Sequence, residues 1–159
     1  MALTADILQS WRHPGQVVRR LRAAGKSEPF VFTFLFVFLL MAFVANAPYV
    51  SRQATLNPEV ALVPGLFGSA LGLLATIPLF YGLAALGHLV ARLMGGQGGW
   101  YDGRLALFWA LACVTPPMLM LGLVRAMLGD VPAVTYMGFA IFFAFAGLYS
   151  LMLKEVEGQ

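Results

Sequence analysis

The chain has 159 residues, of which 60% are apolar even without glycine, 11% are charged, and the formal net charge is +3. A soluble domain reaches roughly 45–50% apolar with glycine counted and about 25% charged. So few charges cannot clothe a water-soluble globule of this length, which leaves a single domain whose main solvent is lipid.

The first 28 residues are basic and read as two short helices broken at His13-Pro14-Gly15. In the second, Val17, Val18, Leu21 and Ala24 cluster on one face, Arg19, Arg20 and Arg22 point elsewhere, and Gly25 can stop the helix. Two readings stay open: an amphipathic interfacial helix on an anionic leaflet, or a basic flank that serves topology alone. The segment is too short, and too closely tied to the span that follows, to support nucleic-acid binding.

Four uncharged runs follow: Pro29 to Ser51, Val60 to Ala91, Leu105 to Val124, and Val131 to Leu153. A spanning helix needs about 20 apolar residues, so each run is long enough. In the first, Phe30, Phe32, Phe34, Phe36 and Phe38 alternate with residues almost as apolar, which suits a helix hydrophobic all round better than a strand. Ala45-Asn46-Ala47 mimics a signal-peptidase site. The long apolar run, the residues before it and Pro48 after it favour a retained anchor. The second run exceeds an upright span and reads as one helix from about 65 to 94, kinked near Pro78. Pro116 and Pro117 are expected to kink the third.

The predicted fold is therefore an all-α polytopic membrane bundle. A basic amphipathic segment occupies 1–28, and a transmembrane domain occupies 29–154 with spans near 29–50, 65–94, 105–125 and 131–153. A tail covers 155–159. Four spans place both termini and the Arg92–Arg104 loop on one side. That side carries eight basic residues (Arg12, Arg19, Arg20, Arg22, Lys26, Arg92, Arg104 and Lys154), and the other carries Arg52 and Arg125. Basic residues accumulate in the cytoplasm, so both termini are expected to be cytoplasmic in a cell inner membrane.

Chemical motifs are sparse. Tyr81, His88 and Arg92 lie within about 40° of one another on a helical wheel. An ionisable group in a span is a functional candidate, although His88 and Arg92 lie near the expected cytoplasmic end, where they reach water. Gly68, Gly72 and Ala75 form a small-residue face that lets another helix approach, within the chain sooner than in a homodimer; homo-oligomerisation stays open. Gly95-Gly96-Gln97-Gly98-Gly99 lacks nucleotide-loop spacing and reads as a surface turn. Trp100 and Tyr101 follow at headgroup level. The lone Cys113 reads as a buried hydrophobe. Two separate histidines, scattered carboxylates and no serine in a nucleophile-elbow context argue for no catalytic residues, no metal and no cofactor.

The run from Tyr81 through His88 to Arg92, the glycine-rich turn to Trp100-Tyr101, Arg104 through Trp109-Ala110, and Pro116-Pro117 resemble the core of the Yip family of membrane proteins in its short bacterial form. Trp11-Arg12-His13-Pro14 followed by Val17-Val18-Arg19-Arg20-Leu21 is similar to the family's approach to its first span. The likeness covers nearly the whole chain. It implies a non-enzymatic protein acting through partners or lipid. Eukaryotic relatives bind Rab-type GTPases in vesicle traffic and membrane shaping, and GTPase binding is not carried over to this chain. The family commonly has five spans, and four are counted here.

The expected function is thus partner or lipid binding in membrane organisation or trafficking. The interaction rim is formed by Arg19, Arg20, Arg22, His88, Arg92, Trp100, Tyr101 and Arg104. The alternatives are a small transporter or channel subunit with a polar path along the second and third spans, and a redox anchor.

Overall fold

The computed structural model describes residues 3–25, 27–57, 59 and 61–158. Lys26, one of the eight basic residues above, lies outside the described residues. Seven helical segments follow in order: α1 (Leu3–Arg12), α2 (Pro14–Ala23), α3 (Glu28–Leu56), α4 (Leu62–Ala75), α5 (Ile77–Leu93), α6 (Trp100–Leu128) and α7 (Pro132–Glu157). There is no strand among the described residues. Four spans are long and apolar enough to cross a membrane: α3, α4 with α5, α6 and α7.

Prolines open several of these helices. Pro14 and Pro132 stand at the first helical position, where the missing N–H has no intrahelical partner to lose. Pro78 acts differently. It cannot donate to the Leu74 carbonyl, and the chain tightens just before it: the Thr76 N–H and hydroxyl both donate to the Leu73 oxygen, at 3.0 and 2.6 Å. The expected kink is therefore a one-residue break between α4 and α5 inside one span of 32 residues. Gly95, at φ +95°, ends α5 in a conformation open chiefly to glycine.

The spans run up and down. One end of the bundle gathers α1 and α2, the loop after α5 and the end of α7. There the Gln97 N–H donates to the Glu157 carbonyl at 2.8 Å, and Arg22 reaches Asp102 at 2.8 Å. At the other end Arg125 lies 3.9 Å over the Tyr49 ring and its Nε donates to Asp130 at 2.9 Å, while the Tyr49 hydroxyl donates to the same carboxylate. Helix α1 and the end of α7 therefore share one end, as an even number of spans requires.

Helix α6 is the axis of the fold. Every residue from Leu105 to Thr115 is buried, with Phe108 and Trp109 fully enclosed. Phe34 of α3 meets Trp109 edge-on at 4.9 Å, and Tyr81 of α5 meets Phe108 at 5.2 Å. Leu148 and Met152 of α7 close another side. After Thr115 the same helix is half-buried or exposed at every residue. The difference lies in α1 and α2, which pack around only the first half. The apolar face of α2 (Val17, Val18 and Leu21) is buried in the protein core with α6 and α7. That face is not free to lie on a leaflet.

The prolines inside α6 illustrate how a membrane helix tolerates lost donors. Pro117 has no N–H to offer the Cys113 carbonyl four residues back. The Trp11 indole N–H of α1 donates to that oxygen instead, at 3.1 Å.

The small-residue face of α4 is a correction. Gly68, Gly72 and Ala75 are exposed, and a methyl group added at either glycine meets nothing within 4 Å. Among the described residues no helix packs there, because α4 turns the Ala70 and Leu73 side toward Phe36 and Leu39 of α3. A helix apolar on every face does not reveal which side it will bury. The close approaches fall at other glycines: Gly122 against Ala45, Gly103 against His88 and Gly87 against Tyr149.

Candidate interaction rim

The end that carries the termini also carries most of the charge. Helix α7 continues to Glu157, and the stripe Leu148, Met152, Val156, spaced by four, stays buried to its end. This seats the Glu157 carboxylate inside the protein, 2% exposed, facing His88 Nδ1 of α5. His88 is 1% exposed, and Trp100 covers its ring at 4.6 Å between centroids. The second carboxylate oxygen accepts the Gly98 N–H at 2.9 Å. A Cβ at Gly98 would stand 2.7 Å from that carboxylate, so the glycine-rich loop is shaped by the group it wraps. Both carboxylate oxygens of Glu157 are thus engaged inside the protein, one by the imidazole and one by the loop N–H.

Asp102 is the second anchor. It is fully buried in the first turn of α6 and accepts from the Gly99 N–H and from Arg22 Nη2, each at 2.8 Å. The N–H closes the helix start and the guanidinium brings in α2. Arg22 Nη1 also reaches the Val156 carbonyl at 3.4 Å. Arg19 pairs with Glu155 at 3.1 Å, Arg20 with Asp6 and with Gln9 at 3.3 Å, and Arg104 with Glu28. The Tyr101 hydroxyl donates to the Gly25 carbonyl at 3.1 Å.

The eight rim residues named from the sequence are thus gathered at one end, and seven of them are engaged with other parts of the chain. Arg92 is the exception. It is exposed without an ion pair among the described residues, as are Arg12 and Lys154. The acidic partners are what sequence reasoning misses: Glu155 and Glu157 fall in the expected tail, Glu28 and Asp102 among the scattered acids, and nothing ties Asp6 to Arg20. The signal for Glu157 was the stripe Leu148-Met152-Val156, which runs straight into the supposed tail. Beside this cluster, a cavity of about 560 Å³ opens between α5 and α7, lined by Val90, Met94, Gln97, Leu153, Lys154 and Glu157 among others. Among the described residues, no group of three or more His, Cys, Asp or Glu is placed to hold a metal ion.

Against models of known families, the Yip1 domain matches residues 8–157. The chain belongs to the Yip1 domain family. The match begins at Leu8 in α1 and ends at Glu157, so the cross-bridged end apart from Asp6 lies inside the Yip1 domain. Neither the curated proteins nor the solved structures returned a significant match. The resemblance drawn from the glycine-rich turn and its flanking helices is confirmed. This Yip1 domain protein is a multi-pass membrane protein with four spans among the described residues.

Proposed function

We propose that this Yip1 domain protein is non-enzymatic and acts through lipid or protein partners in membrane organisation or trafficking, with the rim at the cytoplasmic face. The orientation follows from the eight-to-two distribution of basic residues between the ends. The observation that carries the reading is the division of labour in the rim. Arg22, His88, Trp100, Tyr101 and Arg104 make internal contacts that fix the surface, and Arg12, Arg92 and Lys154 remain exposed as cations. Each exposed cation contributes on the order of 1 kcal/mol toward an anionic leaflet. The interior around Leu105–Thr115 is filled by side chains, which supports this reading over a polar transport path.

The test replaces Arg12, Arg92 and Lys154 with Gln together and checks that orientation and thermal stability are unchanged. Co-purified anionic lipid and partners captured in mild detergent are then measured. The expected result is loss of one or both. Unchanged lipid and unchanged partners would refute the reading.

A further inference from the structure

Helix α1 is polar on the inside and apolar on the outside. Asp6 and Ser10, one turn apart, are buried at 8% and 0% exposure, while Leu8 is 75% exposed and Leu3 and Trp11 are each 43% exposed. A helix on a water-facing surface shows the opposite pattern. Every inward polar group has a partner. Ser10 Oγ donates to the Asp6 carbonyl at 2.8 Å and accepts the Trp109 indole N–H at 2.9 Å, and the Asp6 carboxylate takes Arg20.

The depth of these contacts is the second observation. Arg22 of α2 meets α6 at Asp102, while Ser10 meets it at Trp109 and Trp11 at Cys113. Those positions are seven and eleven residues further along α6, or roughly 10 and 16 Å at 1.5 Å per residue. The Cys113 carbonyl is also the one orphaned by Pro117, and leaving such a group unpaired is most costly where no water reaches. Donors at that depth belong to a segment inside the membrane.

We infer that α1 is a half-depth membrane helix, immersed in the leaflet on the side of the termini, with Leu3, Leu8 and one edge of Trp11 against lipid acyl chains. Arg12, exposed and unpaired, ends the helix where its long side chain reaches back toward the headgroups. The Asp6-Ser10 face is the seam that holds this segment to α6 and α2. The occupant is lipid, because the outward face continues the apolar surface of the spans and presents no polar group between Leu3 and Trp11 beyond Thr4 and the half-buried Gln9. This inference does not depend on which partner the basic rim binds.

The test uses the full chain in vesicles of phosphatidylcholine and phosphatidylglycerol. A nitroxide is placed on Leu8→Cys in a Cys113→Ala background, with Phe143→Cys on exposed α7 as the reference for acyl-chain contact. The expected result is a Leu8 label relaxed by oxygen far more than by a water-soluble nickel chelate, as at Phe143. Dominant relaxation by nickel would place α1 in water and overturn the inference. Low accessibility to both would mean that protein, such as a second copy, covers this face, and would overturn it equally. A label-free measurement compares the native chain with Trp11→Phe in vesicles of acyl-brominated lipid. The Trp11-dependent fluorescence is expected to be quenched by bromine on the chains, and its survival would refute the immersion.

Discussion

Gly122 is the position where the packing argument makes its sharpest demand. A Cβ there would sit 2.9 Å from the Ala45 Cβ and 2.8 Å from its carbonyl carbon, and closer still to the carbonyl oxygen. The obstacle is the backbone of α3, which has no rotamer to yield. Helices α3 and α6 form the most extensive interface of the bundle, so they would have to separate along that contact. Overpacking of a filled site costs about 1–3 kcal/mol, and a backbone obstacle belongs in the upper half of that range. Replacing glycine by alanine in a helix returns about 1 kcal/mol. The net destabilisation for Gly122→Ala is then about 1–2 kcal/mol, or a Tm lowered by roughly 3–6 °C for a chain of this size. Gly68→Ala and Gly72→Ala add a methyl group to open space and should leave Tm unchanged or slightly raised. The assay is thermal unfolding in one mild detergent, read by fluorescence of thiol or tryptophan exposure. Equal Tm values for Gly122→Ala and Gly68→Ala would refute the reasoning that close approach at α3–α6 organises the bundle.

Three further outcomes are expected. Glu157→Ala strands the buried His88 and the Gly98 N–H, each left without its hydrogen-bond partner, so it should lose about 1–3 kcal/mol; in a double-mutant cycle with His88→Ala the losses should fall well short of additive, and additive losses would deny the pairing. The Tyr149 hydroxyl is buried against Gly87 without a hydrogen-bond partner, so Tyr149→Phe should hold or raise the melting temperature, and a clear drop would show that the hydroxyl is satisfied. Asp130, in the turn between α6 and α7, is held below the usual carboxylate range first by the Tyr49 hydroxyl and then by Arg125. A depressed carboxyl stabilises the fold above its unfolded value of about 3.9 and loses that contribution as pH falls through the folded value. The stability advantage of the native chain over Asp130→Asn should therefore be present at neutral pH and vanish below pH ~4, and a pH-independent difference would contradict the assignment.

Much of the architecture was legible because lipid imposes a simple rule. Charges punctuate spans, so Glu28, Arg52, Glu59, Arg92, Arg104, Arg125, Asp130 and Lys154 marked out four long apolar runs. The break near Pro78 was legible because a missing N–H has a local consequence. The orientation of α4 was not, since Gly68 and Gly72 look alike whether they face a helix or lipid, and all faces of that helix are apolar. The partners of the rim were hidden for another reason. Arg22 with Asp102, and His88 with Glu157, are 80 and 69 residues apart in sequence, and no periodicity reports a contact of that range. Helix α1 was not legible either: nothing in the run Asp6, Gln9 and Ser10 announces that Trp109 donates to Ser10 or that Trp11 donates to the Cys113 carbonyl.

The rim residues divide by how easily each exchanges its internal contact for an external one. The Arg19 pair with Glu155 has side chains 57% and 27% exposed, and such a pair is worth about 0–1 kcal/mol. A phosphate or a carboxylate of a partner displaces it at little cost. The Arg22 pair is different, because Asp102 is wholly buried and losing its guanidinium leaves a carboxylate in the interior. His88, enclosed with Glu157 under Trp100, is still less exchangeable. On the proposed function, recognition at this end falls to Arg19 together with Arg12, Arg92 and Lys154, which have no ion pair among the described residues, while Arg22 and His88 hold the N-terminal helices, the Gly98 loop and the end of α7 in register. A triple change of Arg19, Arg20 and Arg22 would mix both groups and unfold the surface it is meant to probe. Arg19→Gln alone should leave Tm within about 1 °C of the native value, consistent with a pair of that small worth, and should weaken retention of anionic lipid. Arg22→Gln should lower Tm. A reversal, with Arg19→Gln unfolding the protein and Arg22→Gln affecting only lipid, would show that the buried pair is not what holds the rim together.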